Sequence, residues 1–320
     1  MVLQRCIFCC LLCLLPTLAH AKIVFKSGSD IYVMDDDGRN AKMLVKKVDG
    51  RYLMWPVWSP DGKQIAFLRQ QPIVPKQTPT DAIFIINSDG TGEFRVTEGD
   101  DDEGIASWSP DGKHLVFTSD RLAKQVRHVN NVWTIDIATK ALRRLTRTVS
   151  LTAQVAWSPD GKYIAYREGF TINLMRANGD DQRALVPGDR FHWRYSPRWS
   201  PDSQSVVYYE VTFNQQGDFV SKKAVIHNIK TGKRRIVQTP DNWSINSACF
   251  MGSKHLLISA KGRHGNPDKL EIYRYHLVTG KIVNLTNTPA VDDSQPDWVD
   301  DDVLSVSPKD KKSNVGKIKQ

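Results

Sequence analysis

The sequence has 320 residues, of which 40% are hydrophobic and 25% are charged, with a formal net charge of +9. This composition is typical of a globular protein with a large core, and it excludes a fibrous or disordered chain. Four of the five cysteines lie within residues 6–13, so that Cys249 is the single cysteine after residue 21. One thiol excludes an internal disulfide framework there.

The N-terminal residues have the pattern of a secretory signal. Arg5 precedes an apolar run over residues 6–15, and Ala19 and Ala21 provide the small residues of a cleavage site. The alternative is a membrane anchor, but about ten apolar residues are too short to cross roughly 30 Å of hydrocarbon. We therefore expect cleavage before Lys22 and export to the periplasm or the extracellular space, without a membrane span.

A turn phrase recurs along the chain. "WSPDG" occurs at residues 58–62, 108–112 and 157–161, and "WSPDS" occurs at 199–203. Serine, proline and glycine at these positions are the residues of a type I turn that joins two antiparallel strands, which we call a and b. The tryptophan and the aspartate of this phrase are then structural residues, and the aspartates are not catalytic.

A second phrase follows each copy of the first. "IYVMDDDGRNAKMLV" from Ile31 predicts a strand, a turn and another strand, c and d, and similar phrases start at residues 83, 132, 172, 225 and 272. The aromatic residues at the end of strand a fall at 58, 108, 157, 199, 250 and 298, where Phe250 replaces tryptophan. Six copies of a four-stranded unit predict an all-β fold, a six-bladed β-propeller over residues 22–308.

The two ends of the chain complement each other. The chain after the cleavage site starts with "KIVF", which is similar to strand b, and ends with strand a at Trp298 followed by "VLSVS". We expect one blade to be built from both termini, with strand b supplied by either segment. Residues 309–320 carry five lysines and one aspartate, and we expect them to form a solvated basic tail. Export argues against nucleic acid as the partner of this tail.

The phrases "WSPDGKQIAF", "IYVMDDDG" and "RRLT" resemble the WD40-like, TolB-type propeller repeat. The resemblance covers nearly all of residues 22–308 and implies the fold more strongly than the function. TolB carries an α/β domain before its propeller, and prolyl-peptidase relatives carry a hydrolase domain after theirs. We expect a propeller without either domain, and the sequence contains no G-x-S-x-G nucleophile motif.

The connections of a propeller divide between two faces. The a–b and c–d hairpins form one face, which we call the hairpin face, and the b–c and d–a connections form the other, the long-loop face. The b–c connections (residues 68–82, 118–131, 167–170, 209–223 and 260–270) vary in length and hold eleven Lys or Arg against six Asp or Glu. Long variable loops on a rigid scaffold are typical binding sites, and this excess is consistent both with a site for an anionic or polar partner and with generic loop solubility.

The d–a connections supply the candidate site. They include "DDDEG", "FHWRYS", "DNWS" and "VDDSQ", each shortly before the aromatic of its blade. We expect these segments to meet at the mouth of the central channel, where arginine would supply a charged fork, tryptophans flat faces and acids polar acceptors. The alternative is that Arg194 pairs with Asp292 or Asp293 and plugs the channel. The predicted site residues are Glu103, His192, Trp193, Arg194, Trp243, Asp292 and Asp293.

The leading hypothesis is a monomeric, non-enzymatic propeller that binds a protein or glycan partner through its long-loop face. No cofactor and no metal site are predicted, because the acidic run 100–103 lacks the spacing of a calcium loop. One alternative is a lyase-like enzyme that acts on polysaccharide with histidine and arginine at the channel mouth. A purely structural envelope protein is the other.

Overall fold

The computed structural model describes residues 23–72, 79–122, 129–262, 268–288 and 290–300. These residues form twenty-four strands in six antiparallel sheets of four strands each. The signal segment 1–21, the segment "VLSVS" and the tail 309–320 lie outside the described residues. Within the described ranges, no helix is long and apolar enough to cross a membrane.

The strands follow one another in chain order with the following bounds. The first twelve are β1 (Ile23–Ser27), β2 (Asp30–Met34), β3 (Lys42–Val45), β4 (Leu53–Trp58), β5 (Gln64–Gln70), β6 (Asp81–Asn87), β7 (Phe94–Arg95), β8 (Ser107–Trp108), β9 (His114–Ser119), β10 (Asn131–Asp136), β11 (Leu142–Arg144) and β12 (Thr152–Trp157). The remaining twelve are β13 (Tyr163–Glu168), β14 (Thr171–Arg176), β15 (Arg183–Ala184), β16 (His192–Trp199), β17 (Ser205–Phe213), β18 (Phe219–Asn228), β19 (Arg234–Ile236), β20 (Ser244–Met251), β21 (His255–Lys261), β22 (Leu270–His276), β23 (Ile282–Asn284) and β24 (Asp293–Trp298).

The sheets are the six predicted blades, and they form a closed ring. Blade 1 has the order β24-β1-β2-β3, and blades 2 to 6 follow as β4–β7, β8–β11, β12–β15, β16–β19 and β20–β23. Each blade shares one buried apolar cluster with the next, and the sixth shares one with the first. The a strands of neighbouring blades contact one another around the centre. The prediction of a six-bladed propeller is confirmed.

Blade 1 is closed by both ends of the described chain. Its strand a is β24 and its strand b is β1, with Val24 paired to Asp297 and Ile23 paired to Trp298. β1 also pairs with β2 along its whole length. The N-terminal segment "KIVF" therefore supplies strand b, which the sequence left open between two segments.

The repeated turn has the predicted chemistry. In the first copy, the Gly62 amide donates to the Ser59 carbonyl over 2.9 Å, and Gly62 has a φ of 67°. The Ser59 hydroxyl donates to Asp61 Oδ1 over 2.7 Å and accepts from the Gln64 amide. The fourth copy keeps this turn with Ser203 at a φ of 58°. The aspartates of these turns therefore hold the hairpins together, as the sequence indicated.

The repeated aromatic residues lie between blades. Each packs into the cluster that its blade shares with the preceding one, and Phe250 packs there as well. The indole N–H of Trp108 donates to the Val57 carbonyl of the preceding blade over 3.2 Å, and that of Trp199 donates to the Ala156 carbonyl over 2.9 Å. These rings therefore fill the interfaces and also tie neighbouring a strands together.

One predicted loop is instead a pair of strands. The segment 209–223 was expected to be a long b–c connection, but β17 continues to Phe213 and β18 begins at Phe219, with these two residues paired. A short turn over residues 214–218 closes the hairpin, in which the Asn214 side chain accepts from the amides of Gln216 and Asp218. Strands b and c of blade 5 are therefore longer than those of the other blades and extend out from the long-loop face.

Candidate functional site

The central channel has a cavity at its hairpin-face mouth. This cavity is about 370 Å³ in volume, and residues at the ends of all six a strands line it, including the repeated aromatic residues. Arg198, Asp297 and Asp300 contribute the charged groups of its lining, and Asp297 Oδ2 accepts from the Trp58 amide over 2.8 Å. The sequence analysis placed the site at the opposite mouth and did not single out these charged residues.

Burial raises the pKa of two acidic groups at this mouth, Asp297 and Cys249. It raises the pKa of Asp297, and the nearby Arg198 guanidinium opposes that change. It also raises the pKa of the Cys249 thiol, an effect to which the Asp297 charge adds, and the thiol donates to the Pro296 carbonyl over 3.2 Å. Cys249 is therefore an inert part of the core between blades 6 and 1.

Non-glycine residues with left-handed backbone lie further along the a strands. Trp55, Gln154, Ser196 and Gln295 have φ values of 53°, 55°, 53° and 56° at bulges of their strands. Two of these bulges connect to the next blade: the Trp55 amide donates to Gln295 Oε1 over 2.7 Å, and the Ser196 amide donates to Gln154 Oε1 over 3.0 Å. Such bulges bend the inner strands and fix the diameter of the channel.

Acidic residues gather at the long-loop mouth beside blades 2 and 3. A cavity of about 260 Å³ there is lined by Asp81, Asp102 and Glu103, together with Trp55 and Gln154 of the channel wall. Burial raises the pKa of Glu103 to about 7, although the guanidinium of Arg121 pairs with it, and raises that of Asp81 to about 6 with help from the charge of Asp102. Glu103 therefore lies at the predicted mouth, already paired with a cation.

The segment "FHWRYS" contributes the buried side chain of Arg194 and the partly exposed side chain of His192. Arg194 is 2% exposed, and its Nε donates to Glu210 Oε2 over 2.8 Å while an Nη donates to Asp189 over 3.1 Å. The expected alternative of a pair with Asp292 or Asp293 is therefore wrong. His192 is partly exposed and shares Asp189 through a 2.8 Å hydrogen bond of its Nδ1.

Trp193 belongs to a group of aromatic residues on the long-loop face. Its ring stacks on Phe170 of blade 4 with centroids 4.4 Å apart, and the Phe213 ring lies 4.5 Å away on blade 5. Phe213 pairs across its hairpin with Phe219, which is 60% exposed. We call Phe170, Trp193, Phe213 and Phe219 the aromatic patch. A cavity of about 290 Å³ lies beside it, against Arg190 and the 214–217 turn.

The other three predicted residues have local partners. Trp243 is 6% exposed in the core between blades 5 and 6, 4.2 Å from the Tyr273 ring, so it does not offer the open flat face that was expected. Asp293 is fully buried and accepts from the Thr288 hydroxyl. Asp292 is partly exposed, accepts from the Leu270 amide over 2.7 Å and lies 3.9 Å from the Lys269 ammonium.

Glu103 and Trp193 thus line different cavities of the long-loop face, and the seven residues do not share one cavity. Which of them contact a partner stays a prediction. The sequence missed the roles of Tyr195 and Tyr209, a stacked cross-strand pair of blade 5 with centroids 5.0 Å apart. A signal was present, because Tyr195 belongs to the "FHWRYS" segment and Arg167, which lies over its ring, belongs to the basic loops. The described residues contain no group of three His, Cys, Asp or Glu side chains that could hold a metal ion.

The fold and the ring of repeats define a six-bladed propeller of the TolB type. The chain belongs to the family of the Tricorn protease N-terminal beta propeller domain, whose model matches residues 11–170. It is 25% identical over 212 residues to the Tol-Pal system protein TolB of Francisella tularensis subsp. holarctica, covering 64% of this chain and 46% of the relative. A TolB of Alcanivorax borkumensis is 31% identical over 87 residues, or 27% of this chain and 18% of the relative. The chain thus spans less than half the length of these curated relatives.

Solved structures share the fold at low sequence identity. TolB from Acinetobacter baumannii superposes with a TM-score of 0.68 at 18% identity, covering 87% of this chain and 66% of that one. An oligogalacturonate lyase from Vibrio parahaemolyticus superposes with a TM-score of 0.56 at 12% identity, covering 83% and 74%. Because proteins with such different names share the architecture, the fold alone does not decide between binding and catalysis.

Proposed function

We propose that this chain is an exported propeller that binds a partner protein through its long-loop face and does not itself catalyse a reaction. The observation that carries the proposal is the aromatic patch, which extends from Phe170 of blade 4 to Phe213 and Phe219 on the projecting hairpin of blade 5. Phe219 and the adjacent Val220 are 60% and 57% exposed, and Phe170 is 44% exposed. Exposed apolar groups that adjoin one another and have a polar rim are typical of protein interaction sites. The similarity to Tol-Pal system proteins supports a protein that works with other proteins over one that works alone.

The capture of partners tests the proposal. The protein is used as bait in an envelope extract, and the captured proteins are compared with those of Trp193→Ala and Phe219→Ser variants. We expect a specific partner to be lost from both variants while their thermal unfolding changes little. Val278→Ser is the matched control, because Val278 is 85% exposed in the c–d turn of blade 6 on the opposite face. Equal capture by all four proteins would contradict the use of this face.

Export is tested separately by fractionation and by sequencing of the N-terminus. The positive Arg5, the apolar run and the small residues Ala19 and Ala21 support cleavage before Lys22. An intact Met1 on the secreted or envelope protein would contradict it.

The burial of His227 beside Arg194 favours binding over lyase chemistry. His227 lies close enough to Arg194 and Arg234 for their charges to lower its pKa further, burial being the main cause of the decrease. Yet His227 is 5% exposed and Arg194 is 2% exposed, so that a polysaccharide could not reach this pair without rearrangement of the blade. Incubation with polyuronates, followed by absorbance of unsaturated products, tests the enzymatic alternative directly.

A further inference from the structure

Arg167 is a buried cation that has no carboxylate partner among the described residues. It lies near the end of β13 in blade 4 and is 8% exposed, and its Nε has no hydrogen-bond partner. Among the described residues, no carboxylate pairs with it, and burial lowers the pKa of its guanidinium. Because an uncompensated buried charge is costly, an anionic group placed beside Arg167 would be stabilising.

Two tyrosines extend this group into a row of donors. The Arg167 Cζ atom lies 4.8 Å from the Tyr195 ring centroid, and the Tyr195 ring stacks on Tyr209 at an interplanar angle of 14°. Neither hydroxyl is hydrogen-bonded within the part of the chain that the structure describes. Burial raises the pKa of Tyr209 to about 12 and also raises that of Tyr195, so both hydroxyls remain protonated donors near neutral pH.

A second cation stands at the other end of the row. The Lys222 ammonium lies 4.5 Å from the Tyr209 ring centroid, and burial and the neighbouring charge of Lys261 lower its pKa. The nearby carboxylate of Glu210 is occupied by Arg194 and Arg234. The row therefore presents hydrogen-bond donors and positive charge.

We propose that Arg167, Tyr195, Tyr209 and Lys222 bind a carboxylate of an acidic peptide segment. A guanidinium offers the planar pair of N–H donors that a carboxylate accepts, and the phenol hydroxyls can donate to the same oxygens. The site adjoins the aromatic patch, since Phe170 follows Arg167 by three residues and Trp193 precedes Tyr195 by two. A segment with Asp or Glu beside apolar side chains fits both surfaces. The peptide nature of the ligand rests on the proposed function, whereas the carboxylate chemistry does not.

The test uses a short fluorescent peptide of alternating glutamate and leucine, its glutamine counterpart and oligogalacturonate, each titrated into the full chain. We expect the glutamate peptide to bind at least about tenfold more tightly than the glutamine peptide, and Arg167→Met to abolish that difference. The affinity should also fall as the salt concentration rises, because the contact is ionic.

Arg69→Met is the matched control. Arg69 also lies near the end of a strand b, but Glu93 already pairs with it through contacts of 2.6 and 2.7 Å. This variant should bind the peptide like the unchanged protein. Arg167→Met should unfold at no lower temperature than the unchanged protein, which shows that its loss of binding is not a loss of folding.

Equal affinity for the glutamate and glutamine peptides, or full affinity in Arg167→Met, would overturn the proposed site. Binding of oligogalacturonate but not of the glutamate peptide would overturn its assignment to a peptide. The two proposals are measured separately. Unchanged partner capture by the Trp193→Ala variant would contradict the proposed function, whereas peptide affinity that does not depend on Arg167 would contradict the carboxylate site.

Discussion

Replacing Arg194 with alanine should destabilise the fold rather than remove a binding contact. The guanidinium is 2% exposed and donates to Glu210, to Asp189 and to the Pro187 carbonyl over 2.8, 3.1 and 3.3 Å. Glu210 is itself 7% exposed and also accepts from Arg234 over 2.7 and 2.9 Å. The substitution therefore removes one of two cations that compensate a buried carboxylate.

The size of the effect follows from what remains. Removal of one partner from a buried ion pair costs about 3–5 kcal/mol when the other charge is left alone. Because Arg234 remains on Glu210, we expect Arg194→Ala to lower the free energy of unfolding by about 2–3 kcal/mol, including the cavity that it leaves. Arg234→Ala should cost about 1 kcal/mol, since that side chain is 37% exposed and Arg194 then remains.

Urea denaturation of the two single variants and the double variant measures these values. The double variant should cost more than the sum of the single ones, because Glu210 then loses both cations. Arg194→Met keeps most of the side-chain volume, so the difference between it and alanine reports the cavity. A change below about 1 kcal/mol in Arg194→Ala, together with loss of partner capture, would refute the structural role and restore Arg194 as a binding residue.

Three further outcomes are expected. The pKa of Glu103 is about 7 in the folded protein and 4.5 ordinarily, so protonation of Glu103 favours the folded state. The free energy of unfolding should therefore fall as the pH rises from 4.5 to about 7. Glu103→Gln should flatten that part of the pH profile. Trp199→Phe should lower the free energy of unfolding, measured by urea denaturation, by about 1–2 kcal/mol, because the buried Ala156 carbonyl loses its donor. Trp157→Phe should lower it less, because the Trp157 indole donates over 3.4 Å within its own hairpin. Peptide mapping after alkylation at pH 8 should find Cys249 unmodified in the folded protein and modified in urea, and labelling of the native form would contradict its burial.

The fold was predictable because its signals are local and repeated. Serine, proline and glycine at fixed positions of one turn, as at Ser59 and Gly62, specify that turn without help from the rest of the chain. An aromatic residue recurring at the same place in each unit, tryptophan in five and phenylalanine in one, then sets the number of blades. The choice of strand b in blade 1 could not be made in this way, because "KIVF" and "VLSVS" are both similar to strand b. The outcome depends on pairing with the distant strand β24.

The candidate site was predictable only in part, because side-chain direction and partner choice are not local. The "FHWRYS" segment was correctly singled out as unusual, yet its arginine turns into blade 5 toward Glu210, while Trp193 contacts Phe170 of blade 4. Trp243 has no repeat counterpart, and its burial depends on Tyr273, thirty residues later. No sequence pattern shows that Arg69 has a carboxylate partner and that Arg167 has none.

The closure of blade 1 sets the order in which this chain can finish folding. β1 lies between β2 and β24 in its sheet. β2 follows β1 directly in the chain, whereas β24 is separated from β1 by almost all of the described residues. During synthesis, β1 and β2 are made long before β24. The edge of β1 stays unpaired until β24 appears, because no other described strand pairs with that edge. Contacts between such distant residues form slowly, and an open strand edge can recruit other chains. The edge of β1 is therefore open to pairing with other chains until β24 has been synthesised.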